Sequence, residues 1–216
     1  MGTKERKERE REQRRELILN AAVELIAKNG FDKTTMEDIA QKAEFSKGTL
    51  YLYFSDKSAL FAEIKITALE LIQSKFSSIL RQDATGVDLV MEMLNSFIDF
   101  LEEKSVYAQS LMLPEIPNPD NCSIQKVGRE IVTVLTHALQ IGLQDGSIIR
   151  KINPRTTAVQ ITLHMFGITQ FFFSDSELLF SNILKENNTS IKQMIHQTIK
   201  SLLLDKEMNL TIKTNE

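Results

Sequence analysis

No stretch of the chain approaches eighteen uninterrupted apolar residues, the length a membrane-crossing helix requires. The start, MGTKERKEREREQRRE, is densely charged where a secretory signal needs an apolar run, so the chain is expected to act in the cytoplasm and away from membranes. Cysteine is nearly absent. Cys122 stands alone, which excludes an intramolecular disulfide and a thiolate metal site of the usual ligand number, and it reads as a small buried or half-exposed side chain. The three histidines, His137, His164 and His196, are scattered without ligand spacing, so no metal is expected. No paired base and nucleophile is evident, which argues against catalysis and against a cofactor.

What is present is a 216-residue chain with 42% hydrophobic residues, enough for one sizeable core or two small ones sharing a long helix. The formal net charge of -3 excludes a chain that coats nucleic acid by bulk charge. Residues 1–58 hold twelve Lys and Arg against eleven Asp and Glu, leaving fourteen against eighteen for the remainder. Any contact with DNA must therefore come from placed residues.

Apolar residues recur at helical spacing almost throughout, and no clean alternation marks a strand, so the fold class is all-α. Leu17, Ile18, Ala21, Ala22, Leu25 and Ile26 form a stripe on a first helix, which Asn29-Gly30 stops. Thr34-Thr35 opens a short second helix with Glu37 and Asp38 in its first turn. Ser46 caps a third helix over 47–54, and Ser55-Asp56 opens a fourth that runs to Leu80, roughly 38 Å at 1.5 Å per residue. Further helices are predicted over 87–103, from about 123 to 144, from Asn153-Pro154 to about Phe173, and over 190–204. Pro114, Pro117 and Pro119 break the pattern into a loop or short turns. The tail after the last helix reads as polar and frayed.

Only Glu44-Phe45-Ser46 separates the second helix from the third, the spacing of a helix-turn-helix. Ala40 is small where the two helices must cross. Leu50 and Phe54, four apart, face a core, which turns Lys47, Thr49, Tyr51 and part of Tyr53 to solvent. Gly48 leaves the helix-opening Ser46-Lys47-Gly48-Thr49 open to an approaching anion. The cations Lys4, Arg6, Lys7, Arg9, Arg11, Arg14 and Arg15 could reach phosphates or a minor groove; equally, they and five interspersed Glu could form a solvated helix laced with i,i+4 pairs.

The segment TTMEDIAQKAEFSKGTLYLYFSDKSALF, residues 34–61, resembles TetR/AcrR-type transcriptional regulators, and the likeness extends over about the first sixty residues. The resemblance implies that Thr35 and Lys57 grip phosphates, that Lys47, Gly48, Thr49 and Leu52 sit in the major groove, and that Tyr51 and Tyr53 bond the backbone. Where such regulators usually carry Ala-Gly-Val-Ser in the turn, this chain has Ala43-Glu44-Phe45-Ser46. Should position 44 need a positive φ, Glu costs about 1 kcal/mol relative to Gly.

Beyond about residue 85 no motif is evident. Val90, Met91, Met93, Leu94, Phe97, Ile98, Phe100 and Leu101 surround nearly the whole circumference of one helix, which is expected to lie deep or line a cavity. Met91, Met93, Phe97, Phe100, Met112, His164 and Phe171 have the composition of a small-molecule pocket, or of plain core. The resemblance makes the last two helices, around 159–173 and 191–204, the ones that pair with a second copy, with Gly167 permitting a close crossing.

The expected organisation is a DNA-binding domain over 1–58, with a charged arm over 1–13, and a ligand-binding and dimerisation domain over 59–216. The expected function is a homodimeric repressor on a palindromic double-stranded DNA operator, released by a small hydrophobic or aromatic effector. A regulator gated by a protein partner is the alternative, and an enzyme the remote one.

Overall fold

The computed structural model describes residues 3–112, 121–174 and 190–204, and every regular element among them is an α-helix. They are α1 (Thr3–Asn29), α2 (Met36–Lys42), α3 (Lys47–Tyr53), α4 (Lys57–Ile79), α5 (Gly86–Glu103), α6 (Ser105–Ser110), α7 (Asn121–Gln144), α8 (Pro154–Phe173) and α9 (Ile191–Leu204). The described residues divide into two compact units, one drawn from Met1–Glu70 with Glu103–Val127, the other from Leu71–Glu102 with Gly128–Glu216. Helix α4 contributes residues to both. The expectations for the proline segment, the Cys122 side chain and the polar tail lie outside the described residues.

The first unit is built on the stripe of α1. Ile18, Ala22 and Ile26 are buried with Met36, Ile39 and Ala40 of α2, Leu50 and Phe54 at α3, Leu60 and Ile64 of α4, and Val106 of α6. Leu17, expected in that stripe, is 55% exposed. It sits at the stripe's margin, and apolarity alone does not show where a helix's packed arc ends. Helix α6 was not foreseen, because six residues carry too short a pattern to show periodicity. It earns its place by tertiary packing alone, through Val106 and the half-buried Tyr107 against the α1 cluster.

Two glycines with positive φ follow helix ends, and Gly30 acts as the stop read from the sequence. Gly30, at φ 82°, donates its N–H to Ile26 O at 2.8 Å and ends α1 with a single left-handed residue. Gly146, at φ 76°, follows the end of α7. Asn153 accepts from Thr156 N–H and Pro154 opens α8, the cap expected from the sequence.

In the second unit, α5 buries Leu89, Val90, Met93, Leu94, Phe97, Ile98 and Leu101, while Met91 and Phe100 are half-buried and Glu92 and Asp99 exposed. The helix expected to lie deep or line a cavity is thus deep on one face only. The seven buried positions follow the i, i+3/i+4 rhythm of one face.

The start of α5 is fixed by residues distant in sequence. Gly86 N–H donates to Asp145 Oδ2 at 2.8 Å and Val87 N–H to Ser147 Oγ at 3.2 Å, so the loop after α7 satisfies two amides that α5 itself leaves open. Hydrogen bonds from Ser147 and from the Gly86 amide hold the Asp145 carboxyl below its ordinary pKa. The approach is closer than any side chain allows: a Cβ on Gly86 would lie 2.0 Å from Gly142 N and 2.6 Å from Ala138 O.

Backbone cannot yield as a flexible side chain does, so Gly86→Ala is expected to cost about 3 kcal/mol or more in urea denaturation, or to give insoluble protein. Gly128→Ala is the control. A Cβ there meets nothing within 4 Å, and removing a helical glycine should stabilise by up to about 1 kcal/mol. Equal stability of the two variants would contradict the close α5–α7 contact.

Candidate nucleic-acid interface

Helices α2 and α3 have seven residues each, and each is started by a side chain. Thr35 Oγ1 accepts from Asp38 N–H at 3.2 Å while the Asp38 carboxylate accepts from Thr35 N–H at 3.1 Å and from its hydroxyl at 2.6 Å, a reciprocal capping box. The Thr35 hydroxyl and amide hold the Asp38 carboxyl below its usual value. Ser46 Oγ accepts from Thr49 N–H at 3.1 Å and lies 2.8 Å from Thr49 Oγ1.

The turn between them depends on a residue that is not glycine. Glu44 has φ 60°, its N–H donates to Gln41 O at 3.1 Å, and Phe45 N–H reaches Ala40 O at 2.9 Å. These are the two bonds of a Schellman motif with Glu in the left-handed position. The conditional cost read from the sequence is therefore incurred.

On α3, Leu50 is fully buried and Phe54, its C-cap, is 3% exposed. The opposite side carries Leu52, 78% exposed, and Tyr51, 45% exposed, with Lys47 and Gly48 also exposed and Thr49 half-buried. A Cβ on Gly48 would meet only Ser46 Oγ, at 3.9 Å, so the helix opening is unobstructed. Tyr53 is half-buried and packs against the core.

Two cations expected to hold phosphates already have partners. Lys47 Nζ is 3.2 Å from Glu37 Oε2 across the turn. Lys57 Nζ donates to Phe31 O at 2.6 Å and Asp32 O at 3.3 Å, and it lies 5.1 Å from the Phe61 ring centre. Phe61 in turn meets Phe31 edge-on at 5.2 Å. Lys57 thus ties the start of α4 to the end of α1 and keeps one of its three protons for another acceptor. Sequence spacing did not show this double role, because the partners lie 26 and 25 residues away.

The residues expected to line an effector pocket are dispersed. Met93 and Phe97 are buried on α5, and Phe100 and Phe171 are half-buried. Met112, half-buried, belongs to the other compact unit. His164 is exposed on α8, its Nδ1 2.7 Å from Gln160 O, and so gives the interior of its unit no titratable group. The reason is angular: α8 buries Thr157, Ala158, Ile161, Met165 and Thr169, and His164 falls outside that arc. An open groove of about 310 Å³ takes in Met91 alone of the residues expected in a pocket, with Gln82, Ala84, Asp88, Leu89, Glu92 and Asn95.

A histidine the sequence did not single out is held more firmly. His196 Nε2 is hydrogen-bonded to Asn95 Oδ1 at 2.6 Å. Burial first, then Lys192 and Lys200, push its pKa below the ordinary histidine value. Among the described residues no three His, Cys, Asp or Glu side chains gather as a metal site, and no helix is long and apolar enough to cross a membrane.

A capped helix pair with a solvent-facing second helix, set in a wholly helical structure, defines the class of helix-turn-helix transcription regulators. Residues 18–64 match the family model of bacterial regulatory proteins, tetR family. Residues 18–64 thus form a DNA-binding domain of the tetR family, and the chain is a transcriptional regulator. The HTH-type transcriptional regulator YhgD of Bacillus subtilis is 26% identical over 154 residues, 67% of this chain and 76% of that protein. YvdT of the same organism is 51% identical over 49 residues, 23% of this chain and 25% of that protein. The structure of FadR from Bacillus subtilis in complex with stearoyl-CoA shares the fold, with a TM-score of 0.62, 19% identity and coverage of 88% of this chain and 98% of that one.

Since Glu44 occupies a left-handed position without a glycine's freedom, Glu44→Gly should raise stability by about 1 kcal/mol in thermal or urea unfolding. A loss of stability would show that the Glu44 side chain makes a compensating interaction.

Proposed function

We propose that the protein is a dimeric repressor whose two α3 helices enter successive major grooves of a palindromic operator about 34 to 36 Å apart, and which a small hydrophobic effector releases. The observation that carries this reading is the solvent face of α3. Lys47, Gly48, Thr49, Tyr51 and Leu52 stand there clear of the core, while Leu50 and Phe54 anchor the helix from behind. In this reading Thr49 and Leu52 meet base edges, and Ser46 and Lys47 at the helix opening, Thr35, Tyr51, Tyr53 and the remaining proton of Lys57 hold phosphates. Residues 1–58 form the DNA-binding domain and 59–216 the effector and dimer domain.

The effector class we favour is an apolar acyl chain, on the shared fold with the stearoyl-CoA complex of FadR. Met93 and Phe97 are the first candidates for apolar wall, with Phe100 and Phe171 next; Met112 and His164 are weaker ones. Ligand and operator act on one equilibrium, so an effector that loosens DNA must bind the DNA-free protein more tightly by the same factor.

The partner surface is proposed on α8. Val159, Leu163 and Phe166 are 43, 63 and 50% exposed on the side opposite its buried residues, and Met194 of α9 is 47% exposed. Gly167 meets nothing within 4 Å, consistent with room for a second copy. Ile195, on a helix expected to pair with a second copy, is instead buried with Ile199 and Leu203.

Binding to duplexes drawn from the DNA upstream of the protein's own gene, followed by fluorescence anisotropy with and without stearoyl-CoA, tests the regulatory reading. Specific binding weakened tenfold or more by the acyl-CoA is expected, and Thr49→Ala should shift base preference by about 1 to 3 kcal/mol at one half-site position. Specific binding that is indifferent to acyl-CoA and to other lipophilic compounds would favour gating by a protein partner. No specific binding would defeat the reading.

For the dimer, Leu163→Glu should yield soluble monomers in sedimentation at micromolar concentration, since it charges an exposed position without touching the core. A fully dimeric Leu163→Glu protein would move the interface away from α8.

A further inference from the structure

The charged start of the chain is helical from Thr3, continuous with the rest of the 27-residue α1. Its cations fall into two sets. Arg6 pairs with Glu10 at 2.9 Å, Arg15 with Glu63 at 2.8 Å and more loosely with Glu12, and Arg9 is also engaged. Lys4, Lys7, Arg11 and Arg14 are exposed and enter no ion pair or hydrogen bond among the described residues.

These four are spaced by three, four and three residues, so they share one arc of about 80° on the helix. Glu5, Glu8, Glu12 and Glu16 gather on another arc, roughly a third of a turn away. Glu10, paired with Arg6, lies on the other flank of the basic arc, which is therefore a narrow stripe between acids. Along this arc Lys4–Lys7, Lys7–Arg11 and Arg11–Arg14 are like-charge neighbours, while Glu8 and Glu10 flank it at i+3 or i+4 without pairing to any of the four.

The position of the stripe tells what it faces. Arg14 is followed at four-residue steps by Ile18 and Ala22, which are buried in the first unit's core, so the stripe lies on the same side of α1 as the helix-turn-helix. The guanidinium of Arg15 lies 5.6 Å from the ring centre of Phe54, the residue that ends α3. The helix therefore leaves the unit beside the C-terminal end of α3. From Lys4 to Arg14 the stripe spans about 15 Å, the length of four to five phosphate steps at about 3.4 Å each.

We propose that the start of α1 is a second, sequence-independent DNA contact, in which Lys4, Lys7, Arg11 and Arg14 bind phosphates of the duplex flanking the half-site. This rests on the DNA-binding reading above. The charge complementarity is to a regularly spaced polyanion, and neutralising its phosphates releases counterions.

The test compares full-length protein with the variant Lys4→Gln, Lys7→Gln, Arg11→Gln, Arg14→Gln on two duplexes. One ends at the two half-sites, and the other extends about ten base pairs beyond each. Wild type is expected to bind the extended duplex at least tenfold more tightly, with a salt slope steeper by about three to four units per protomer engaged. The variant should bind both duplexes alike. Circular dichroism confirms that its helix content is retained, and Arg6→Gln with Arg9→Gln, which removes paired cations, should have less than half the effect.

Equal affinity and slope for wild type and variant on the extended duplex would overturn the proposal while leaving the DNA-binding reading intact. So would an equally large loss in the paired-cation variant. Unchanged DNA binding with lost sedimentation on phosphatidylglycerol vesicles would assign the stripe to a lipid surface instead. Failure of wild type to bind either duplex would overturn both readings.

Discussion

The surface offered to DNA depends on burial behind it. Two seven-residue helices lie well below the length at which an isolated helix holds in water, so neither α2 nor α3 exists without a core to lean on. Leu50 and Ile39 provide the anchorage at full burial, each worth about 1.5 to 3 kcal/mol, against Ile18, Ala22 and Ile26 of α1 and Leu60 and Ile64 of α4. With Leu50 and Phe54 committed inward, helical geometry leaves Gly48 and Leu52 outward. An exposed leucine is thus a consequence of the anchor rather than a packing failure.

Around that core the chain uses polar groups to set angles rather than to add stability. Thr35 and Ser46 fix where two helices begin, Glu44 fixes how they turn, and Lys57 ties the start of α4 to the carbonyls after α1. Lys57 and Lys47 are held by the protein before any phosphate arrives. A phosphate contact from either then shares or replaces an existing bond, which lowers its net contribution and pre-positions the side chain.

The second unit solves a different problem. Its helices α5 and α7 meet backbone to backbone at Gly86 and Gly142, and Asp145 and Ser147 close the open amides of α5 from 59 and 60 residues away. Helix α8 then has two uses, one side buried through Ile161 and Met165 and the other left apolar and exposed through Leu163 and Phe166.

The amino-acid sequence by itself determined where helices start and stop, because a cap is a local event. Thr35, Ser46 and Asn153 each satisfy an amide three residues on, Gly30 adopts a backbone angle no other residue there reaches cheaply, and the helix-turn-helix spacing follows from these. It also determined that Leu50 and Phe54 share a face, since four residues make one turn. Tertiary structure alone decided which apolar residues count. Leu17 stays exposed while Val106 on an unforeseen short helix is buried, His164 turns out while His196 finds Asn95, and Ile195 faces inward where an outward surface was expected. The same holds for charge: of the seven cations from Lys4 to Arg15, only packing and pair geometry separate those already neutralised from Lys4, Lys7, Arg11 and Arg14. The physical reason is that hydropathy and charge belong to a residue, whereas burial and pairing belong to neighbours that a distant part of the chain supplies.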